Sequence, residues 1–199
     1  MKIAVYGSAS GDIGPEVREK ARQIGREIAT RGHDLITGAC PGLPYEAVCG
    51  AREVSERTGK IIRFSPGFCK GSHEEWYGFP TRGFDAIRWL SQTSTLYIDN
   101  DKLRKSMRLK LRNIYSVAAS DAGVIICGRT GSLNELTLLY DMGRLIGLLE
   151  GTGGVPNVFT KSPEFRDLLT KETGADIVVH SEPKDLVEAI ITKYEARTA

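Results

Sequence analysis

Asp121–Glu135 reads DAGVIICGRTGSLNE, an apolar run that passes into a glycine-bearing turn and then into a stretch with helical character. Val124 to Cys127 read as a buried strand, and Gly128 and Gly131 supply backbone freedom. Ser132 suits the N-cap of a helix whose third residue after the cap is Glu135. A strand, a small-residue turn and a helix start make an anion site, because free amides and the positive helix end attract a phosphate that small residues let approach. The same residues also fit a plain capping box in which Glu135 bonds back to Ser132, and the local pattern leaves both readings open.

Working outward, the strand-loop-helix unit repeats. Ile3 to Tyr6 form a short apolar strand, GSASG follows as a small-residue loop, and Pro15 opens a helix with Val17, Ala21, Ile24 and Ile28 at helical spacing. Leu35 to Thr37 form a second strand, and Gly38 to Gly42 a second small-residue loop before a helix from about Pro44 to Thr58. Lys60 to Phe64 are a third strand, Thr95 to Ile98 a fourth, Val124 to Cys127 the fifth, Leu145 to Leu149 the sixth and Asp176 to Val179 the last. Between the third and fourth, Phe68 to Thr93 holds both tryptophans and reads as an elaborated loop with one short helix, its aromatic groups filling a satellite core or a subunit contact. EGTGG after the sixth strand reads as a flexible exit with no helix following, then a short helix over Glu164 to Lys171 and a closing one over Pro183 to Tyr194.

The helix from about Lys102 to Ala119 carries an apolar stripe of Leu103, Met107, Leu111, Ile114 and Ala118. Arg112 lies well off that stripe, and Arg104, Arg108 and Arg112 at four-residue steps read as a solvated basic face. Alternating strands and amphipathic helices predict an α/β fold: a doubly wound, mostly parallel sheet of about seven strands, Rossmann-like, with helices on both faces. One domain over residues 1–199 is expected. Such sheets bind ligands at the carboxyl ends of strands near a change in strand order, where the loops at Gly7 and Ser8, at Gly38 and at Gly128 are expected to converge. The G-x-G-x-x-G fingerprint is absent, which argues against a hydride-carrying dinucleotide.

A composition of 41% hydrophobic and 26% charged residues is that of an ordinary globular protein. A net charge of +2 makes no electrostatic case for nucleic acid, and none is expected as a partner. The four cysteines show no C-x-x-C spacing and read as reduced thiols, and the three histidines are too scattered for a metal site. MKIAVYGSAS is a strand and loop rather than a signal peptide, and no apolar run reaches the length of a membrane span; a cytoplasmic location and no membrane partner are expected.

GSAS at 7–10, TGACPGLPYEAV at 37–48, RNIYSVAASDAGVIICGRTGSLNEL at 112–136 and LIGLL at 145–149 resemble the LOG (lonely guy) group of the SMF/DprA-LOG superfamily. The likeness covers most of the chain and is greatest from Arg112 to Gly147; the R-N pair at 112–113 looks closer to a branch that includes molybdenum-cofactor carrier proteins. Members once labelled lysine decarboxylases are phosphoribohydrolases that cleave the N-glycosidic bond of a nucleoside 5′-monophosphate. The group's pattern is an arginine ahead of an A-D or S-D pair, then P-G-G-x-G-T-x-x-E. Arg112 matches the arginine, Gly128 and Gly131 two glycines, and Glu135 the glutamate; Ser132 replaces the threonine, Cys127 the proline and Arg129 the second glycine.

The resemblance implies Arg112 and Glu135 as catalytic residues, and Gly7, Ser8, Gly38, Gly128, Arg129, Thr130, Gly131 and Ser132 as phosphate or nucleotide contacts. It implies no metal and no cofactor, an AMP-like or pterin ligand, and a homodimer or higher homo-oligomer. The activity implied is release of free base and ribose 5-phosphate; the alternative is a non-catalytic carrier of a nucleotide or of molybdopterin. Arg129 either adds a phosphate contact or obstructs the pocket.

Overall fold

Ile3 and Val5 leave one face of the first strand, β1 (Lys2–Gly7), and Ala4 and Tyr6 leave the other; all four are buried. A strand apolar on both sides is stable only beneath two layers of helices. In the computed structural model, which describes residues 1–38, 40–69, 71, 78–91 and 99–199, β1 lies inside a seven-stranded parallel sheet. Its strands β2 (Asp34–Thr37), β3 (Ile61–Ser65), β4 (Ala86–Trp89), β5 (Ala122–Ile126), β6 (Leu145–Leu149) and β7 (Asp176–His180) are ordered β4-β3-β2-β1-β5-β6-β7.

Helices α1 (Pro15–Thr30), α2 (Leu43–Arg52) and α7 (Pro183–Thr198) cover the face bearing Ile3 and Val5. The face bearing Ala4 and Tyr6 is covered by α3 (Asp101–Ala118), α4 (Thr130–Asp141), α5 (Gly154–Lys161) and α6 (Pro163–Arg166). The doubly wound arrangement expected from the sequence is the one found. Strand order reverses direction between β1 and β5, whose register pairs Tyr6 with Ile125 and Gly7 with Ile126. The carboxyl ends of these two strands form the crevice where such sheets take ligands.

Several elements differ from expectation. The fourth strand is Ala86–Trp89, inside the stretch read as a loop, and the strand expected at Thr95 to Ile98 lies outside the described residues. The second helix ends at Arg52 rather than near Thr58, and the short helix spans Pro163–Arg166 rather than Glu164 to Lys171. The expected flexible exit after β6 is instead α5, with Pro156 in its first turn, where a missing N–H costs no helical bond. The helix after β5 begins at Thr130: Ser132 lies inside it, no side chain caps it, and the capping box with Glu135 does not form. The chain turns early because Cys127 and Gly128 both take positive φ, 55° and 88°.

The largest departure is in α3. Its apolar stripe was expected to face the core, yet Leu103 is 53% and Met107 39% exposed, and Ile114 is exposed as well. The buried side holds Arg108, Arg112, Asn113, Ser116 and Val117. Arg108 survives burial by donating to the carbonyls of Pro66 at 2.6 Å, Ser91 at 3.0 Å and Leu90 at 3.4 Å, which holds together the loops leaving β3 and β4. Periodicity located the stripe correctly but assigned the wrong side to the interior.

Candidate active site

At the end of β1, Gly7 lies so close to β5 that an added Cβ would fall 2.4 Å from the carbonyl oxygen of Ile126. The chain then continues as Ser8, whose hydroxyl accepts from the amide of Gly128 at 3.2 Å and donates to the sulfur of Cys127 at 3.5 Å. The amide of Cys127 donates to Thr152 Oγ1 at 2.9 Å, and the amide of Val155 reaches the carbonyls of Cys127 and Gly128. The loops after β1, β5 and β6 are thus joined side by side. Gly128 is required twice over, by its positive φ and because a Cβ there would meet Ser132 Oγ at 2.1 Å. Beyond it, Gly131 opens onto free space at the uncapped start of α4.

The loops after β1 and β5 floor a cleft of about 390 Å³ whose opposite wall is α3. That is a volume suited to a small molecule. Arg112 and Glu135, expected from the motif, both line it, as do Gly7, Ser8, Arg129, Gly131 and Ser132. Gly38, Gly128 and Thr130 do not. Gly38 backs Arg112, Gly128 supports Ser132, and Thr130 points to solvent at the first position of α4.

Arg112 is 4% exposed and donates through Nη2 to the sulfur of Cys40 at 3.3 Å, while its Nε is buried without a partner among the described residues. Burial opposes its charge most strongly, yet Cys40, Glu135 and Tyr6 attract it enough to hold the guanidinium above its ordinary pKa. Glu135 is 6% exposed and, among the described residues, makes no hydrogen bond and no ion pair. Burial pushes its carboxyl up to about 7, against the pull of Arg112 and then Lys110. A carboxyl that titrates near neutrality, held in a cleft beside a fixed cation, suits proton transfer or stabilisation of developing positive charge.

Residues that the sequence reading did not single out complete the walls: Cys40 and Phe79 on one side, Lys110 and Asn113 from α3 on the other. Lys110 and Asn113 stand on either side of Arg112 in the chain and line the cleft with it, a signal hidden while that part of α3 was taken for solvent. Arg129, exposed at the rim, reaches back to the carbonyl of Ser10 at 3.5 Å. Trp76 and Tyr77 of the aromatic segment lie outside the described residues, while Phe84 packs against the main core rather than a satellite one: the Arg63 guanidinium lies 4.8 Å from its ring centre, and the ring centre of Tyr45 6.3 Å from it. Among the described residues no cysteine forms a disulfide, and no described helix is long and apolar enough to cross a membrane.

No curated protein matches this chain. Solved structures do. TM1055 is 19% identical, covering 96% of this chain and 98% of its own, with a TM-score of 0.73. The molybdenum cofactor binding protein of Rippkaea orientalis is 21% identical, covering 96% of each chain at a TM-score of 0.68. DNA processing protein A of Helicobacter pylori, whose structure concerns its single-stranded DNA binding mode, is 15% identical over 98% of this chain and 81% of its own at a TM-score of 0.60.

This last likeness corrects the expectation that nucleic acid is excluded as a partner. A net charge of +2 averages over the whole chain and conceals the run of lysines and arginines along α3, and a protein of the same fold binds DNA. The family assignment rests on residues 1–187, which match the SLOG cluster4 family, and the chain belongs to that family within the SMF/DprA-LOG superfamily.

Proposed function

We propose that the protein is a nucleoside 5′-monophosphate phosphoribohydrolase, releasing free base and ribose 5-phosphate. The observation that carries this reading is Glu135: a buried, unpartnered carboxyl in the same cleft as Arg112 and the open start of α4. The 5′-phosphate lies against the backbone of Gly131 and Ser132 at the start of α4 and against the Ser8 loop, with Arg129 at its rim. The ribose then extends toward Glu135. Cleavage of the C1′–N bond leaves its electron pair on the base, which takes up a proton, and places positive charge on C1′ and the ring oxygen. Ionised Glu135 stabilises that charge or takes a proton from the water that adds its oxygen to C1′. Arg112 fixes the geometry of this end of the cleft from beneath. Incubation with AMP and separation of free adenine by chromatography tests the reading, with Glu135→Gln as the control.

A second reading, a carrier that holds a nucleotide or molybdopterin intact, is favoured by Arg129. It introduces a long cation at the cleft rim where the catalytic pattern has glycine. A ligand that co-purifies unchanged, identified by its absorbance and mass, supports this reading; a wild type that turns over AMP with no bound ligand contradicts it.

The exposed stripe of α3 supports self-association. An antiparallel pair of α3 helices sets Leu103 opposite Ala118 and Met107 opposite Ile114, apolar against apolar at those four positions of each helix. Light scattering on Met107→Asp tests it: the wild type is expected as a dimer or larger species and the variant as a monomer, while a monomeric wild type overturns the inference.

A further inference from the structure

Asn113 follows Arg112 on α3, and Asn134 precedes Glu135 on α4. Asn113 donates through Nδ2 to Asn134 Oδ1 at 3.0 Å, so a hydrogen bond joins the two helices directly beside the Arg112 and Glu135 pair. Asn113 is 3% exposed and lines the cleft. Its Oδ1 is buried and accepts nothing among the described residues. An orphaned buried acceptor costs about 1–3 kcal/mol, and in a well-packed protein such an atom calls for an explanation. The bond to Asn134 uses one N–H of the amide and fixes its plane, which leaves Oδ1 without a partner on a side chain that lines the cleft.

We propose that Asn113 is a specificity-determining residue whose Oδ1 accepts a hydrogen bond from the 2′-hydroxyl of the bound ribose. The inference rests on the phosphoribohydrolase reading above. If Glu135 acts at C1′, the substituent on the adjacent ring carbon is the 2′-hydroxyl, and it falls beside the residues that flank Glu135 and Arg112. A hydroxyl supplies the proton that an amide oxygen lacks. As positive charge develops on C1′, the neighbouring hydroxyl becomes a better donor and the bond to Asn113 strengthens, so it contributes to the transition state more than to the ground state. Asn134 is a positioning residue in this scheme.

The experiment compares kcat/KM for base release from AMP and from 2′-deoxy-AMP, in the wild type and in Asn113→Ala. The wild type is expected to favour AMP by at least about tenfold, because the deoxy substrate leaves the buried acceptor unpaired. In Asn113→Ala the value for AMP falls while that for 2′-deoxy-AMP stays, bringing the ratio close to one. A wild-type ratio near one, or a preference that survives in Asn113→Ala, overturns the proposal while leaving the hydrolase reading intact. Should Asn113→Ala fail to fold, 3′-deoxy-AMP decides on the wild type alone: a smaller loss than with 2′-deoxy-AMP supports the assignment, and an equal or larger one overturns it. Base release from none of these nucleotides removes the hydrolase reading and this inference together.

Discussion

Gly38 and Arg112 share one volume: a Cβ on Gly38 would fall 1.0 Å from Nη1 of the guanidinium and 2.2 Å from Cζ. The absence of a side chain at the end of β2 is therefore what lets an arginine of α3 lie flat across the base of the cleft. Gly38→Ala is expected to displace the Arg112 guanidinium and, since a small misplacement at a catalytic site is expensive, to lower kcat/KM for AMP by about a hundredfold. A crystal structure of the variant checks the displacement, and unchanged kinetics would count against the role given to Arg112.

Glu135 is expected to link pH to stability and, on the hydrolase reading, to rate. Its carboxyl titrates near 4.5 when unfolded and at about 7 when folded, so the stability it contributes is fully present below pH 4.5 and is lost as pH rises through about 7. The cost above that point is on the order of 3 kcal/mol. Glu135→Gln is expected to raise the thermal midpoint at pH 8 and to leave it nearly unchanged at pH 4, as read by calorimetry. In the wild type kcat/KM is expected to climb with pH and level off above about 7, because the ionised carboxylate does the work.

Cys127 holds a φ of 55°, a conformation that the ring of proline cannot adopt. The catalytic pattern's proline would also remove the amide that donates to Thr152. Cys127→Pro is therefore expected to destabilise by about 3 kcal/mol or more in urea denaturation, rather than restoring a consensus.

Burial of Arg108 under α3 makes it a structural residue. Arg108→Ala strips donors from three loop carbonyls and is expected to cost about 3 kcal/mol, whereas Lys102→Ala on the solvent side of the same helix stays within about 0.5 kcal/mol. Equal effects of the two substitutions in denaturant would return Arg108 to the solvated face that periodicity assigned it.

The legible parts of the fold are those where one local signal dominates. β1, β5 and β6 are unbroken apolar runs ended by glycine or a charged turn, and their order along the chain implies the crossovers. β4 is different: Ala86–Trp89 sits at the sheet edge with Arg88 and Trp89 exposed, so it has neither a buried run nor a clean alternation. α5 carried a readable signal, Pro156 in a first turn, that the preceding glycines masked. In α3 the period was right and the facing wrong, because backbone carbonyls from distant loops reward a buried arginine and no local window contains them. The site divides the same way. Arg112 and Glu135 follow from a motif, while Cys40, Lys110 and Asn113 meet them only through the packing of three separate segments.

The most direct test is adenine release from AMP, followed by chromatography at pH 8 for the wild type and for Glu135→Gln. The wild type is expected to yield adenine and ribose 5-phosphate in equal amounts, and Glu135→Gln to be slower by about 10²–10⁴-fold while remaining folded. AMP left intact by the wild type, or equal rates for the two proteins, would contradict the assignment of Glu135 as the catalytic carboxyl.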